Sequence, residues 1–457
     1  MTSFNTVNGI PATGNKKLMR GILRDEMGFD GVLISDWAAI EETIYHGYCA
    51  DKEDAAIRAV EAGVDIDMMT GIYCDNLCRL VREGKIPESL VDECCMRILE
   101  LKNKLGLFEN PYKDADEEKE QQLILCKEHR ELAREAARKS FVLLKNEEQI
   151  LPLDKTKKTA FIGPYVNSRN LMGSWSIIGE AKDITTVEET MAVEEAGNNV
   201  VCCQGSPMLG AEVILEGFTE ENQATYTPEE EAKMLEEALE AAKKADQVVL
   251  FIGEDRLQSG EATSNATIQI PQIQQNLLER VAEINENIAV VLFSGRPLDL
   301  RDVQVKAKAI LEVWMPGTEG AGAITDVLYG HYNPTGKLPM SFPYCVGQVP
   351  VHYNEYATGR PHVEGKDKDR FRSKYLDIPN APLYPFGYGL SYTTFTVSEV
   401  SLDKDNMKDG ESIRAAVTVK NTGTCAGTET IQLYLHDVAA SVVRPVKEPV
   451  SYTHLTL

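Results

Sequence analysis

The sequence predicts a multidomain α/β protein that ends in β structure. Three observations carry this. The first hundred residues alternate amphipathic helix with short apolar strand, and a second alternating block follows from about residue 136. After Tyr392 the pattern takes the period of two expected of half-buried strands. At 457 residues the chain is long enough for about two to four domains.

In order along the chain, Lys16 to Met27 reads as an amphipathic helix and Gly31-Val-Leu-Ile-Ser35 as a buried strand ending at Asp36. Residues 51 to 62 read as a helix, Val64 to Met69 as a second strand, and Leu77 to Glu83 as the start of the next helix. Such alternation implies parallel βα units. They are too few for a closed eight-fold barrel of about 250 residues, leaving a small open sheet or a chain that begins partway through a barrel. Glu88 to Leu105 is a long helix closed by Gly106, and residues 109 to 122 read as an exposed linker into a helix. Strands follow at Thr159 to Gly163, Val248 to Gly253 and Ile288 to Phe293. Before the second of these, Thr227 is placed to cap a helix running to about Ala245, with Pro228 at its first position and Glu230 completing a capping box. From Asn333 the chain is irregular and rich in Pro, Gly and Tyr. Ile413 to Lys420 and Thr428 to Leu435 then read as the opening strands of a β-sandwich.

Charge and composition exclude several function classes. Lys and Arg number 47 against 71 Asp and Glu, a net charge of −24. So acidic a surface repels phosphate backbones and anionic lipid, which argues against nucleic-acid and membrane partners. No stretch approaches the roughly 18 apolar residues of a membrane span, and Met1-Thr-Ser-Phe-Asn shows no signal-peptide pattern. The ten cysteines are scattered, with adjacent pairs at Cys94-Cys95 and Cys202-Cys203. Reduced thiols fit this pattern better than a disulfide framework, so a cytoplasmic location is expected, with a periplasmic or secreted one as the alternative. Cys74 and Cys78 lie four apart with no CxxC pair, which argues against zinc.

Asp36 sits at the carboxyl end of a buried parallel strand, where barrels and open α/β sheets place their sites. Its blander reading is a turn or helix-capping residue. Trp37 beside it offers an aromatic face for a sugar ring, or simple packing. Glu261, in Gln258-Ser-Gly-Glu-Ala-Thr, stands on a loop after the strand ending at Gly253, and Glu254 and Asp255 compete with it for a catalytic role. No phosphate loop, HExxH zinc motif or GxSxG elbow occurs, so carboxylate-pair chemistry is the strongest reading of the residues.

Eight segments, taken in order, resemble glycoside hydrolase family 3 and in particular its bacterial, periplasmic-type β-glucosidases. They are Met1-Thr-Ser-Phe-Asn-Thr-Val-Asn-Gly-Ile-Pro-Ala, Gly28-Phe-Asp-Gly-Val-Leu-Ile-Ser-Asp-Trp, Leu105-Gly-Leu-Phe-Glu-Asn-Pro-Tyr and Ser140-Phe-Val-Leu-Leu-Lys-Asn. Further on come Met172-Gly-Ser-Trp-Ser, Trp314-Met-Pro-Gly-Thr-Glu-Gly, Tyr332-Asn-Pro-Thr-Gly-Lys-Leu-Pro and Tyr384-Pro-Phe-Gly-Tyr-Gly-Leu-Ser-Tyr-Thr. The resemblance implies a partial (β/α)8 barrel, an α/β sandwich and a truncated fibronectin type III-like β-sandwich. It implies a retaining exo-β-glucosidase with Asp36 as nucleophile and Glu261 as general acid/base. Phe4, Trp37 and Ser174 match positions lining the sugar pocket. Phe4 stands where many members have Tyr, and Asn265 where close relatives often have Arg. A retaining glycosidase needs its two carboxyls about 5–5.5 Å apart and requires no metal or organic cofactor.

The domain expectation that follows is 1–108 for the carboxyl-terminal part of the barrel, 109–135 for a linker and connecting helix, and 136–343 for the α/β sandwich. Residues 344–392 form an irregular connection and 393–448 a partial fibronectin type III-like domain. Residues 449–457 read as a non-native tail of the kind produced by translated adapter sequence. On this reading the chain is a fragment, expected to be inactive or nearly so as written. Expected substrates are β-glucoside oligosaccharides or aryl β-glucosides, and a homodimer is the expected assembly. β-Xylosidase and, more distantly, β-N-acetylglucosaminidase are rival activities; the rival of another class is an inactive carbohydrate-binding or structural fragment.

Overall fold

A computed structural model describes residues 1–457 except 177–178, 211–225, 364, 366–367 and 457. The chain divides into two compact units, Met1–Gln122 and Leu123–Leu457.

The first unit opens with a short hairpin, β1 (Thr6–Val7) against β2 (Ile10–Pro11). The expected amphipathic helix is present at Lys17–Glu26, wound as a π-helix. Helices α1 (Ala39–Tyr45), α2 (Lys52–Ala62), α3 (Ile72–Arg82) and α4 (Glu88–Lys104) follow. Asp51 caps α2, its carboxylate accepting from the Asp54 N–H at 2.9 Å, and Gly63 ends the helix at φ 88°. Helix α3 starts five residues before the Leu77 expected of it. Gly71, at φ 71°, is the residue that turns the chain into its first turn. The core is apolar and small-residue rich, with Ile40, Ala55, Ala56, Val60, Val64 and Leu80 fully buried.

The two strands expected here, at 31–35 and 64–69, shrink to one parallel bridge between Ile34 and Ile66. The backbone still pairs as βα units do: the Ser35 N–H donates to the Ile66 carbonyl at 2.9 Å and the Asp65 N–H to the Leu33 carbonyl at 2.7 Å. On the other side, the Thr2 N–H donates to the Ile34 carbonyl at 2.9 Å. Side-chain hydrogen bonds replace ladder hydrogen bonds at this point, which shortens the regular strand. The buried Asp65 carboxylate accepts from the Leu33 N–H, from Arg24 and from Arg97, each at 2.8 Å.

The second unit is built on a six-stranded sheet. Helix α5 (Glu117–Leu123) leads into it, and α6 (Lys127–Ser140) precedes the first strand. The strands are β3 (Val142–Asn146), β4 (Thr159–Ile162), β5 (Val200–Cys203), β6 (Gln247–Gly253), β7 (Ile288–Phe293) and β8 (Ala309–Glu312). Their order is β3-β8-β7-β6-β4-β5, parallel except for the antiparallel edge pair β3–β8. The three strands expected in this block are all present. Every residue of β6 is buried, as a parallel strand covered on both faces should be. Val249 and Phe251 point to one core and Val248, Leu250 and Ile252 to the other, following the side-chain period of two. Helices α6, α7 (Val187–Val193) and α11 (Gly320–Leu328) supply the first face. Helices α8 (Pro228–Lys244), α9 (Gln272–Ala282) and α10 (Arg301–Lys306) supply the second. The result is an α/β sandwich. Thr227 caps α8 with Glu230 in a full capping box, as its sequence predicts.

Beyond Tyr392 the described residues form three two-stranded antiparallel sheets. Strand β9 (Phe395–Val397) pairs with β12 (Val419–Asn421), and β10 (Ser401–Leu402) with β11 (Ala415–Ala416). The single strand expected over 413–420 is thus divided between two partners. Strand β13 (Thr428–Leu435) has the expected bounds and pairs with β14 (Glu448–Thr456), which contains most of the segment read as a tail; Leu457 lies outside the described residues.

Candidate active site

In the first unit, Asp36 follows directly on the bridge at Ile34, at the carboxyl end of the paired segment. The local backbone folds around its carboxylate. The Trp37 N–H donates to Asp36 Oδ1 at 2.7 Å, and the Ala39 N–H donates to the Asp36 carbonyl at 3.1 Å. Ala38 takes a left-handed conformation, φ 56°, that turns the chain into α1. Ser35, fully buried, donates its hydroxyl to the Asp36 carbonyl at 3.0 Å and accepts from the Met68 N–H at 2.8 Å. Asp36 is therefore half-buried and fixed through its own peptide, while Trp37 stands 60% exposed beside it. The turn role is present, and it leaves the second carboxylate oxygen for another partner. An open groove of about 470 Å³ lies next to this pair, lined by Ala38, Glu41, Glu42, Tyr45 and His46. Phe4 is half-buried and joined to the far end of α1: its carbonyl lies 3.1 Å from His46 Nε2.

Three residues that sequence reasoning missed position this site. Arg24, Asp65 and Arg97 form a buried ion cluster, with Asp65 bridging the two guanidinium groups at 2.8 Å each. Arg24 also reaches the carbonyls of Gly31 at 3.1 Å and Gly63 at 2.8 Å. Those carbonyls open the two paired segments, so the cluster fixes the backbone that ends at Asp36. A buried pair of this kind adds little net stability, because desolvation offsets the attraction, but removing one partner leaves an uncompensated buried charge.

In the second unit the parallel strands deliver their carboxyl ends to one edge. The chain leaves β4 toward β5 on one side, and β6 toward β7 on the other, so β4 and β6 flank a topological switch point where open α/β sheets place ligands. Ser174 lies on the loop after β4 and Glu261 on the loop after β6. The structure brings these two loops together: a Cβ built on Gly260 would stand 2.3 Å from Ser174 Oγ. Gly260, at φ 114°, has no side chain to obstruct that approach, and Ala262, at φ 58°, completes the turn that leaves Glu261 exposed. Trp175, 66% exposed and beside the same glycine, was quoted in the motif but not singled out. Its rarity, one of 3 tryptophans, was the available signal.

The competitors of Glu261 have other occupations. Glu254 is buried and ion-pairs with Arg296 at 3.0 Å, while the Gly295 N–H donates to its second oxygen at 3.3 Å. Burial pushes its carboxyl up, opposed by Arg296 and that backbone donor. Asp255 caps the short helical turn at Arg256–Gln258 through the Leu257 N–H at 2.8 Å, and burial pushes its carboxyl up as well. Deeper still, Glu312 ends β8 fully buried, accepting from Ser294 Oγ at 3.1 Å and the Trp314 N–H at 2.8 Å. Burial drives its carboxyl well above the usual range. Among the described residues no group of three or more His, Cys, Asp or Glu side chains is arranged to hold a metal ion.

The fold and the carboxylates at its strand ends define an α/β protein of two units, and comparison with known proteins identifies the family. Residues 1–101 match the glycosyl hydrolase family 3 N-terminal domain and residues 141–392 the family's C-terminal domain. The chain belongs to glycosyl hydrolase family 3. It is 42% identical over its full length to a periplasmic beta-glucosidase of Salmonella typhimurium, covering 60% of that protein. A beta-xylosidase of Formosa agariphila is 34% identical over the full chain, which covers 61% of it. The crystal structure of a beta-glucosidase from Listeria innocua in complex with isofagomine matches with a TM-score of 0.91 and 42% identity, over 100% of this chain and 61% of that one. The chain thus spans about three-fifths of the length of these relatives.

The Salmonella relative corrects the cytoplasmic location expected from the cysteines, since a protein 42% identical is named as periplasmic. All ten cysteines are unbridged, which describes their geometry and not their compartment. Burial pushes the Cys49 thiol up and the Cys94 thiol to about 12, so both stay protonated and unreactive wherever the protein resides.

Proposed function

We propose that this chain carries the catalytic carboxylates of a retaining exo-β-glucosidase that removes terminal β-D-glucosyl residues by double displacement. Asp36 attacks the anomeric carbon and forms the glycosyl-enzyme, while Glu261 in its acid form protonates the departing oxygen. Glu261, then ionised, takes a proton from the incoming water, which releases glucose with retained configuration. The observation that carries this reading is Asp36 itself: a carboxylate pinned through one oxygen at the end of a buried parallel segment, beside the exposed face of Trp37. Trp37 and Trp175 offer apolar faces on which a sugar ring can stack, with Phe4 and Ser174 completing the proposed sugar contacts. The beta-glucosidases among the relatives support glucosides as substrates, and the periplasmic one of Salmonella supports an exported location. The Formosa beta-xylosidase supports a second reading, a β-xylosidase.

Strands β9 to β14 are proposed to belong to a fibronectin type III-like module, and the enzyme to be a homodimer, which light scattering would test. The activity itself is tested on a panel of aryl β-glycosides with the complete gene product. The glucoside is expected to exceed the xyloside in kcat/KM by about 10-fold or more, the order one extra hydroxymethyl contact can supply. A preference for xyloside selects the second reading, and no turnover of any glycoside contradicts both.

A further inference from the structure

We propose that Arg296 is the positioning residue of the acid/base loop, a clamp that holds residues 258–263 in the shape that presents Glu261. The proposal rests on the reading of Glu261 as general acid/base and goes beyond it by assigning what aims that group. Arg296 Nη2 donates to the carbonyls of both Gln258 and Thr263, the latter at 3.2 Å, and these residues are the two stems of the turn that carries Glu261. Its Nε lies 3.0 Å from Glu254 Oε1 as an ion pair rather than an aligned hydrogen bond, with the guanidinium only partly exposed and the carboxylate buried. Glu254 is in turn fixed by the Gly295 N–H, and its own N–H donates to the Phe293 carbonyl at 2.9 Å. A continuous path thus runs from the ends of β6 and β7, through Glu254 and Arg296, to both stems.

The rest of the loop is consistent with a clamp from one side. The Asn265 side-chain amide donates to the Gln258 carbonyl at 3.2 Å and the Thr263 hydroxyl to the Gly260 carbonyl at 2.6 Å, so the turn is closed on itself. A Cβ on Gly295 would stand 2.0 Å from Ser259 Oγ, so the segment carrying Arg296 lies directly against the loop. Glu261 is exposed, and among the described residues no side chain hydrogen-bonds to it. Its orientation therefore depends on the backbone beneath it, and that backbone is held by Arg296. A planar guanidinium can serve two carbonyls and a carboxylate at once, whereas a lysine presents one nitrogen.

The test separates protonation of the leaving group from general damage. Arg296→Lys and Glu254→Gln are made in the complete gene product and assayed on 2,4-dinitrophenyl β-glucoside, which needs almost no acid, and on cellobiose, which needs it fully. A displaced acid should lower kcat/KM for cellobiose by about 10- to 100-fold, part of what general acid catalysis supplies, and leave the dinitrophenyl substrate within about 3-fold. A purely structural loss reduces the active fraction and lowers both substrates equally; that result, or no loss on either, overturns the clamp. Glu261→Ala runs alongside, with azide added to restore turnover of the activated substrate. If it shows the leaving-group split and azide rescue while the Arg296 and Glu254 variants do not, the clamp alone is wrong. If it shows neither while the Arg296 and Glu254 variants do, the assignment of Glu261 is wrong, and the clamp as the device that presents it is overturned with that assignment.

Discussion

At Asp36 the carboxylate that closes a turn is the one proposed to attack the sugar, and the two tasks fall on different oxygens. Oδ1 accepts from the Trp37 N–H at 2.7 Å, which fixes the orientation of the carboxylate. Glu312 shows the opposite treatment of a carboxyl. It has no exposed surface, and among the described residues its buried Oε2 has no hydrogen-bond partner. Desolvation is the main cause of its raised pKa, with the nearby Glu254 charge adding to it, so the folded state holds a proton that the unfolded chain releases. For a carboxyl raised on folding, the stabilisation is complete below the ordinary carboxylate range and falls as pH rises above it. Glu312→Gln should therefore flatten the decline of melting temperature between the ordinary carboxylate range and neutrality. Thermal scans across that range check this, and an unchanged slope in the variant would contradict it.

At the scale of elements, the site depends on how closely the strands deliver their ends. Gly253 closes β6 at φ 154°, and a Cβ there would stand 1.9 Å from the Phe293 carbonyl oxygen of β7. Gly253→Ala is expected to cost about 3 kcal/mol or more, since backbone must move on both strands, and to disturb the loop carrying Glu261. Denaturant melts of the purified variant measure the cost, and a stability within about 0.5 kcal/mol of wild type would show that the close approach is not needed. Elements with local signals were legible in the sequence. Thr227, Pro228 and Glu230 announced α8, and the unbroken apolar runs announced β6 and β7. The strand before Asp36 was over-read, because an apolar run records burial and not the number of ladder bonds its backbone makes. Here Asp65 and Arg24 take several of them. Arg296 was not legible for a related reason. Its loop partner Gln258 lies 38 residues away, and no periodic pattern links an arginine to distant carbonyls.

Across the molecule, two compact units each carry one of the proposed carboxylates on the carboxyl side of parallel β structure. The sequence singles out both through the family resemblance of Ser35-Asp36-Trp37 and Ser259-Gly260-Glu261-Ala262; their local patterns, an Asp ending an apolar run and a glycine-flanked Glu, are weak signals on their own. The residues proposed to position them, Arg24, Asp65, Arg97 and Arg296, make their contacts across long sequence separations and became visible only in the folded chain. The central claim is that Asp36 forms the covalent bond to sugar. Incubation of the complete gene product with 2,4-dinitrophenyl 2-deoxy-2-fluoro-β-glucoside, followed by proteolysis and peptide mass spectrometry, tests it directly, because the fluorine slows breakdown of the intermediate and lets it accumulate. The label is expected on Asp36, with one sugar per active site and none in Asp36→Asn; a label on another carboxylate such as Asp67 or Glu41, or an Asp36→Asn variant that labels and turns over like wild type, would contradict the account.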